Sequence, residues 1–129
     1  MLNRDQINAF RENLELRFRE LREEIRQALL QSDEQSYIEL AGRVHDMEEA
    51  SVADLLVDVS LADIDRHVGE IRDIDAALGR IATGTYGVCT DCGEGIEVAR
   101  LEVHPTAKRC RPCQVIQENR QTAPRGGSL

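Results

Sequence analysis

Four cysteines, the only ones in the chain, fall between residues 89 and 113 as two Cys-x-x-Cys pairs, Cys89/Cys92 and Cys110/Cys113. Seventeen residues separate the pairs. Each pair sets two thiolates on one side of a tight knuckle, and two knuckles at this spacing can close a tetrahedron of sulfur around zinc at about 2.3 Å. Gly93 follows the first pair, where the knuckle needs a positive φ. Cys113 opens a helical stretch running to Arg120, whose N-terminal dipole favours a thiolate. Disulfides and a redox pair are the competing readings. Disulfides belong to oxidising compartments, and a thioredoxin-like pair needs a βαβ setting, which the pattern lacks. His104, between the pairs, is an alternative ligand, although four thiolates already complete the tetrahedron. Four protein sulfurs leave no open coordination position, so one structural zinc is expected per chain and no catalytic residue is assigned.

The remaining sequence must position this module. Residues 3–44 predict a helix, with Ile7, Phe10, Leu14, Phe18, Leu21, Ile25 and Leu29 in one apolar stripe. Glu15/Arg19 and Arg17/Glu20 are candidate ion pairs along it. The polar run 31–36 weakens the stripe, which resumes at Ile38, Ala41 and Val44; a kink or a break there are both open. His45–Ala50 reads as a turn, and Ser51 with Asp54 as a capping arrangement. A second helix follows to Ala82, with Val57, Leu61, Ile64, Val68, Ile71 and Leu78 at heptad spacing and Asp75 interrupting. Thr83-Gly84 ends it, the glycine stopping the helix. Two helices of about 50 Å joined by a short turn predict an antiparallel coiled-coil hairpin rather than a compact bundle. The alternation in Ile96–Val103 predicts short strands, stopped by Pro105.

The fold class is therefore mainly α: a hairpin over 1–84 with an acidic tip near 45–51, a zinc-ribbon-like module with a C-terminal helix over 85–121, and a flexible tail over 122–129.

Composition limits the partners. The chain has 129 residues, only four of them aromatic, and a net charge of −8. Between Asp33 and Asp63 nine acids face one base, Arg43, so this segment carries a charge equal to that of the whole chain. The zinc segment 89–113 balances four acids against four bases. Neither end offers the broad basic face that phosphate backbones require. The first residues lack the apolar core of a signal peptide, and no stretch approaches membrane-spanning length. A soluble cytoplasmic monomer is expected.

Tyr86-Gly-x-Cys-x-x-Cys-Gly93, Arg100-Leu-Glu, Pro105-Thr-Ala107 and Cys110-x-x-Cys113 together resemble the DksA/TraR family of bacterial transcription factors. With the preceding hairpin the likeness covers about residues 8–121, without the N-terminal extension of longer members. The resemblance implies direct binding to RNA polymerase, with a coiled-coil tip inserted into the secondary channel and no sequence-specific DNA contact. The family's acidic tip motif, Asp-x-x-Asp-x-Ala, falls on Asp46, Glu49 and Ser51: the charge is kept, but the second carboxylate is one methylene longer. Some members bind guanosine tetraphosphate, the stringent-response nucleotide, jointly with polymerase. The corresponding positions here hold Asp73, His104 and Gln114, with Arg66 still basic, so a weak nucleotide response is expected.

The rival function is a nucleic-acid-binding zinc ribbon with a coiled-coil oligomerisation arm, which the charge balance disfavours. An enzyme built on His45, Asp46, Glu48 and Glu49 is weaker still, because such groups on a charged turn are usually solvated. Assistance to polymerase's own transcript cleavage through a tip carboxylate is chemically open to Asp46 and Glu49 and leaves this chain a non-enzyme.

Overall fold

The computed structural model describes residues 2–32, 34–56, 59 and 61–122. The expectations on Asp33, Val57 and Asp58, and on the tail from Ala123, lie outside the described residues. Six helices follow in order: α1 (Arg4–Gln31), α2 (Gln35–Val44), α3 (Glu49–Leu55), α4 (Ala62–Thr83), α5 (Val98–Val103) and α6 (Arg111–Thr122).

The start of α1 is fixed locally. The Asn3 side chain accepts from the Gln6 backbone N–H, and the Gln6 side chain accepts from the Asn3 N–H, so two otherwise unpaired donors are satisfied reciprocally. The stripe Phe10, Leu14, Phe18, Leu21, Ile25 and Leu29 is buried, as its spacing predicts. It faces α4, which contributes Ile64, Val68, Ile71, Ile74 and Ala77. Ile74 and Ala77 carry the α4 stripe past Asp75, which is exposed. Arg17 pairs with Glu70 and the Phe10 ring packs against Tyr86, so α1 and α4 run antiparallel and form the coiled-coil pair.

The middle of the chain departs from the predicted long hairpin. α1 stops at Gln31, with Ser32 extended (φ −73°, ψ 141°). The polar run therefore breaks the helix rather than kinking it. α2 then returns along α1: Arg22 Nη1 donates to the Met47 carbonyl at 2.7 Å, although the two residues are 25 apart in sequence. On one continuous helix they would stand about 37 Å apart. α3 comes back along α4, with Glu48 and Glu49 lining a cleft beside Leu78, Ile81 and Ala82. Segment 45–51 is thus not the far end of a 50 Å rod.

Burial explains this arrangement. Leu21, Ile25, Leu29, Val44, Val52, Ile64 and Ile71 are all 0 % exposed. Two helices leave the flanks of their seam in water; complete burial needs neighbours on further sides, and α2 and α3 supply them. Taking such a side chain from full exposure to full burial is worth about 1.5–3 kcal/mol, of which sealing the flanks supplies a part. Ser51 lies inside α3, which begins at Glu49 without a side-chain cap, so the capping arrangement expected at Ser51 is not formed.

Gly84 closes α4 in the left-handed region (φ 77°), its N–H donating to the Arg80 and Ile81 carbonyls. A residue with a Cβ is strained in that conformation.

Candidate metal centre

The chain re-enters the core as soon as it leaves α4. Tyr86 is buried, packs against Phe10 with ring centroids 5.7 Å apart and planes tilted by 49°, and donates its hydroxyl to the Pro105 carbonyl at 2.7 Å. Burial pushes its phenol up to about 12. Arg80 donates to the Thr106 carbonyl, a second tie between coil and module. These contacts seat the cysteine segment on the base of α1 and α4.

The first knuckle is built by backbone bonds. Cys89 N–H donates to the Glu94 carbonyl at 2.8 Å, and Gly93 N–H donates to the Cys89 carbonyl at 3.0 Å. Gly93 has φ 78°, the conformation its place in the motif requires. The one extended pairing here is the isolated bridge between Val88 and Gly95. Residues 98–103, expected as strand, form α5 instead. No second strand lies across from them among the described residues, so a helix satisfies their backbone locally while Leu101 is fully buried. Thr90 N–H donates to the Lys108 carbonyl, Arg109 Nε pairs with Asp91 at 2.8 Å, and Arg100 Nε donates to the Arg109 carbonyl at 3.0 Å. Together they hold the second knuckle against the first. α6 starts at Arg111, so Cys113 sits in its first turn.

The four Sγ atoms of Cys89, Cys92, Cys110 and Cys113 lie within 4.8 Å of one another. Cys92 and Cys110 are 3.7 Å apart. A sulfur tetrahedron with bonds of about 2.3 Å has edges of about 3.8 Å, so the spacing fits zinc. It is well beyond the roughly 2.05 Å of a disulfide, and all four cysteines are free. Burial pushes the Cys89 thiol up, but backbone donors at Cys92, Cys110 and Asp91 outweigh it and draw the group down to about 6. The neighbouring Cys110 sulfur pushes Cys113 up. Four thiolates this close repel one another unless a divalent cation lies between them, which is the chemistry zinc supplies. His104 is not part of the cluster: it caps α5 and lines a groove between α5 and α6.

The other predicted positions are dispersed. Asp46 stands on the turn after α2 with its side chain 95 % exposed. Glu49 is the first residue of α3 and half-buried, and Ser51 is exposed. His104 and Gln114 share the α5–α6 groove with Arg100 and Arg111. Asp73 lies elsewhere, on α4, where its charge acts on Arg80. Arg66 is paired with Asp63 at 2.9 Å. Sequence reading missed Arg22 and the Arg17–Glu70 pair; both partnerships depend on which helices become neighbours, and no short-range pattern encodes that.

Comparison with known proteins agrees with this geometry. Residues 84–119 match the family model of the prokaryotic dksA/traR C4-type zinc finger. The chain is 32% identical to the RNA polymerase-binding transcription factor DksA of Caulobacter vibrioides, over 93% of this chain and 81% of that protein. It is 30% identical to the DksA of Haemophilus influenzae, over 93% and 79% respectively. The structure of transcription factor DksA2 from Pseudomonas aeruginosa superposes with a TM-score of 0.61 at 26% identity, covering 94% of this chain and 89% of that one. The four-cysteine module and the similarity along nearly the whole chain place this protein in the DksA/TraR family of C4-type zinc-finger proteins.

Proposed function

We propose that this chain is a transcription regulator that binds RNA polymerase directly, presents acidic residues to the catalytic centre through the secondary channel, and makes no sequence-specific DNA contact. The observation that carries this reading is the end-to-end likeness to proteins named as RNA polymerase-binding factors, cysteine module included. The charge distribution supports it. A net charge of −8 with the excess of acid over base concentrated in segment 33–63 suits insertion near a cation-bearing centre and opposes binding to nucleic acid alone. By resemblance to the family's acidic motif, Asp46, Glu49 and Ser51 are the positions presented to the catalytic centre. The zinc is structural, the chain acts as a cytoplasmic monomer, and polymerase remains the enzyme. No helix of the described residues is long and apolar enough to cross a membrane, which accords with that setting. A pull-down with core RNA polymerase, followed by multi-round transcription with and without guanosine tetraphosphate, tests the reading. Retention on polymerase and altered transcript yield are expected; a salt-sensitive shift of free DNA or RNA without polymerase retention contradicts it.

A further inference from the structure

The start of α1 is also part of the seat of the cysteine module. With Asn3 as the cap, Leu2 and Ile7 hold the two positions of a hydrophobic staple, one just before the cap and one in the second turn. Both line a cavity with Tyr86 and Val88, and Leu2 packs against the core. The reciprocal Asn3–Gln6 bonds fix the angle at which the chain enters the helix. That angle sets Leu2 on the backbone of Gly87. A Cβ on Gly87 would stand 2.8 Å from Leu2 Cδ1 and 3.7 Å from Leu101 Cδ1. The leucine therefore rests on a surface that only glycine leaves open. Gly87 also has φ 83°, a conformation that strains any residue with a Cβ.

Gly87 belongs to the first knuckle. Its carbonyl accepts from Ile96 N–H at 2.7 Å, and Val88 bridges to Gly95. Gly93 and Gly95 line the same cavity as Leu2. The floor beneath Leu2 is thus the loop 87–96, which carries Cys89 and Cys92. Within that loop only Cys89 and Ile96 are buried, so little apolar packing shapes it from inside. Drawing the four sulfurs together shapes it from one side, and Leu2 covers it from the other. Closing the knuckle around zinc builds the floor; docking Leu2 on that floor holds the knuckle closed.

We infer that Leu2 is a positioning residue for the zinc site. It ligates nothing, yet it raises zinc affinity by holding the first knuckle in its closed shape, and zinc in turn holds Leu2 in its seat. The two effects are equal by linkage: the factor that Leu2 adds to zinc binding is the factor that zinc adds to the docking of Leu2.

The test is the zinc affinity of the full chain, measured by competition with a chelating dye at fixed pH. Leu2→Ala should weaken zinc binding about fivefold, the effect of losing the buried part of one leucine. Leu2→Met refills nearly the same volume and should restore affinity to within about twofold. Ile25→Val deletes a methylene from the core of the distant half of α1. It should lower folding stability and leave zinc affinity unchanged, which separates the Leu2 contact from a general loosening of the fold. Gly87→Ala should weaken zinc more than Leu2→Ala does, because backbone strain is added to displacement of the leucine. Combined in one chain, the two substitutions should cost less than the product of their separate factors, since the Leu2–Gly87 contact can be lost only once. In methyl nuclear magnetic resonance spectra of the unaltered chain, chelating the zinc should move the Leu2 resonances to the positions of an unpacked leucine. Zinc affinity in Leu2→Ala equal to that of the unaltered chain, or Leu2 resonances that ignore zinc removal, overturns the inference. So does an equal loss of zinc affinity in Ile25→Val. Each readout is made without polymerase, so the result stands apart from the proposed function.

Discussion

Arg17 grips Glu70 with two parallel bonds, Nε to Oε2 at 2.7 Å and Nη2 to Oε1 at 3.1 Å, across 53 residues of sequence. The bond to Glu70 is the main reason the Arg17 guanidinium is held above its ordinary range. Both side chains are about 40 % exposed, which tempers the pair's worth. The two-pronged geometry still sets the register of α1 against α4. A double-mutant cycle with Arg17→Gln and Glu70→Gln, read by urea denaturation, should give a coupling of about 0.5–1 kcal/mol that shrinks at high salt.

The metal should be inseparable from the fold of the cysteine module. Apart from Tyr86, Ile96 and Leu101, the segment 85–113 buries few large side chains of its own. Metal analysis of protein purified without chelator should return one zinc per chain. Cys110→Ser should abolish tight binding and raise hydrogen exchange over residues 86–115, while α1 and α4 stay protected. Absence of zinc together with a disulfide among the four cysteines contradicts this.

Tyr86 gives a pH signature. Burial raises its phenol from 10 to about 12, so the folded state favours the neutral form. The resulting stability is complete below pH 10, the ordinary phenol value, and is lost as pH rises through about 12. In a Tyr37→Phe background Tyr86 is the only tyrosine, and ultraviolet absorbance should show phenolate forming near pH 12. Tyr86→Phe removes the donor to Pro105 and should cost about 1 kcal/mol.

These elements differ in how far sequence alone disclosed them. The zinc ligands were fully legible because two Cys-x-x-Cys pairs carry their geometry in their spacing. The left-handed Gly84 and Gly93 followed from their positions after a helix and a knuckle. The α1 stripe was legible from Phe10 to Leu29. The return of α2 and α3 was not: an apolar stripe records which face is buried, and the same stripe serves an extended hairpin and a folded-back bundle. Residues 98–103 misled because a short run of mixed apolar and charged residues fits either period; the missing partner strand decided for helix. Asp75 looked like a defect in the stripe because Ile74, one position earlier, takes the buried place.

On the family resemblance, which aligns Asp73 with a basic position of nucleotide-binding members, the response to guanosine tetraphosphate should be weak, because an acid there repels a polyanion. Asp73→Lys combined with His104→Arg should enlarge the nucleotide effect in multi-round transcription. A response in the unaltered chain as large as that of a relative with basic residues at these positions contradicts the charge argument.

On the proposed function, Asp46 and Glu49 act on polymerase through their charge. Asp46 is almost wholly exposed and Glu49 lies at a helix start, so Asp46→Asn and Glu49→Gln should change folding stability by no more than about 0.5 kcal/mol. The most direct measurement is competition binding to RNA polymerase beside multi-round transcription for the two variants. Helicity, zinc content and polymerase affinity should stay close to the unaltered chain while most of the transcriptional effect is lost. Unchanged activity in both variants, or activity and affinity falling together by the same factor, would contradict it.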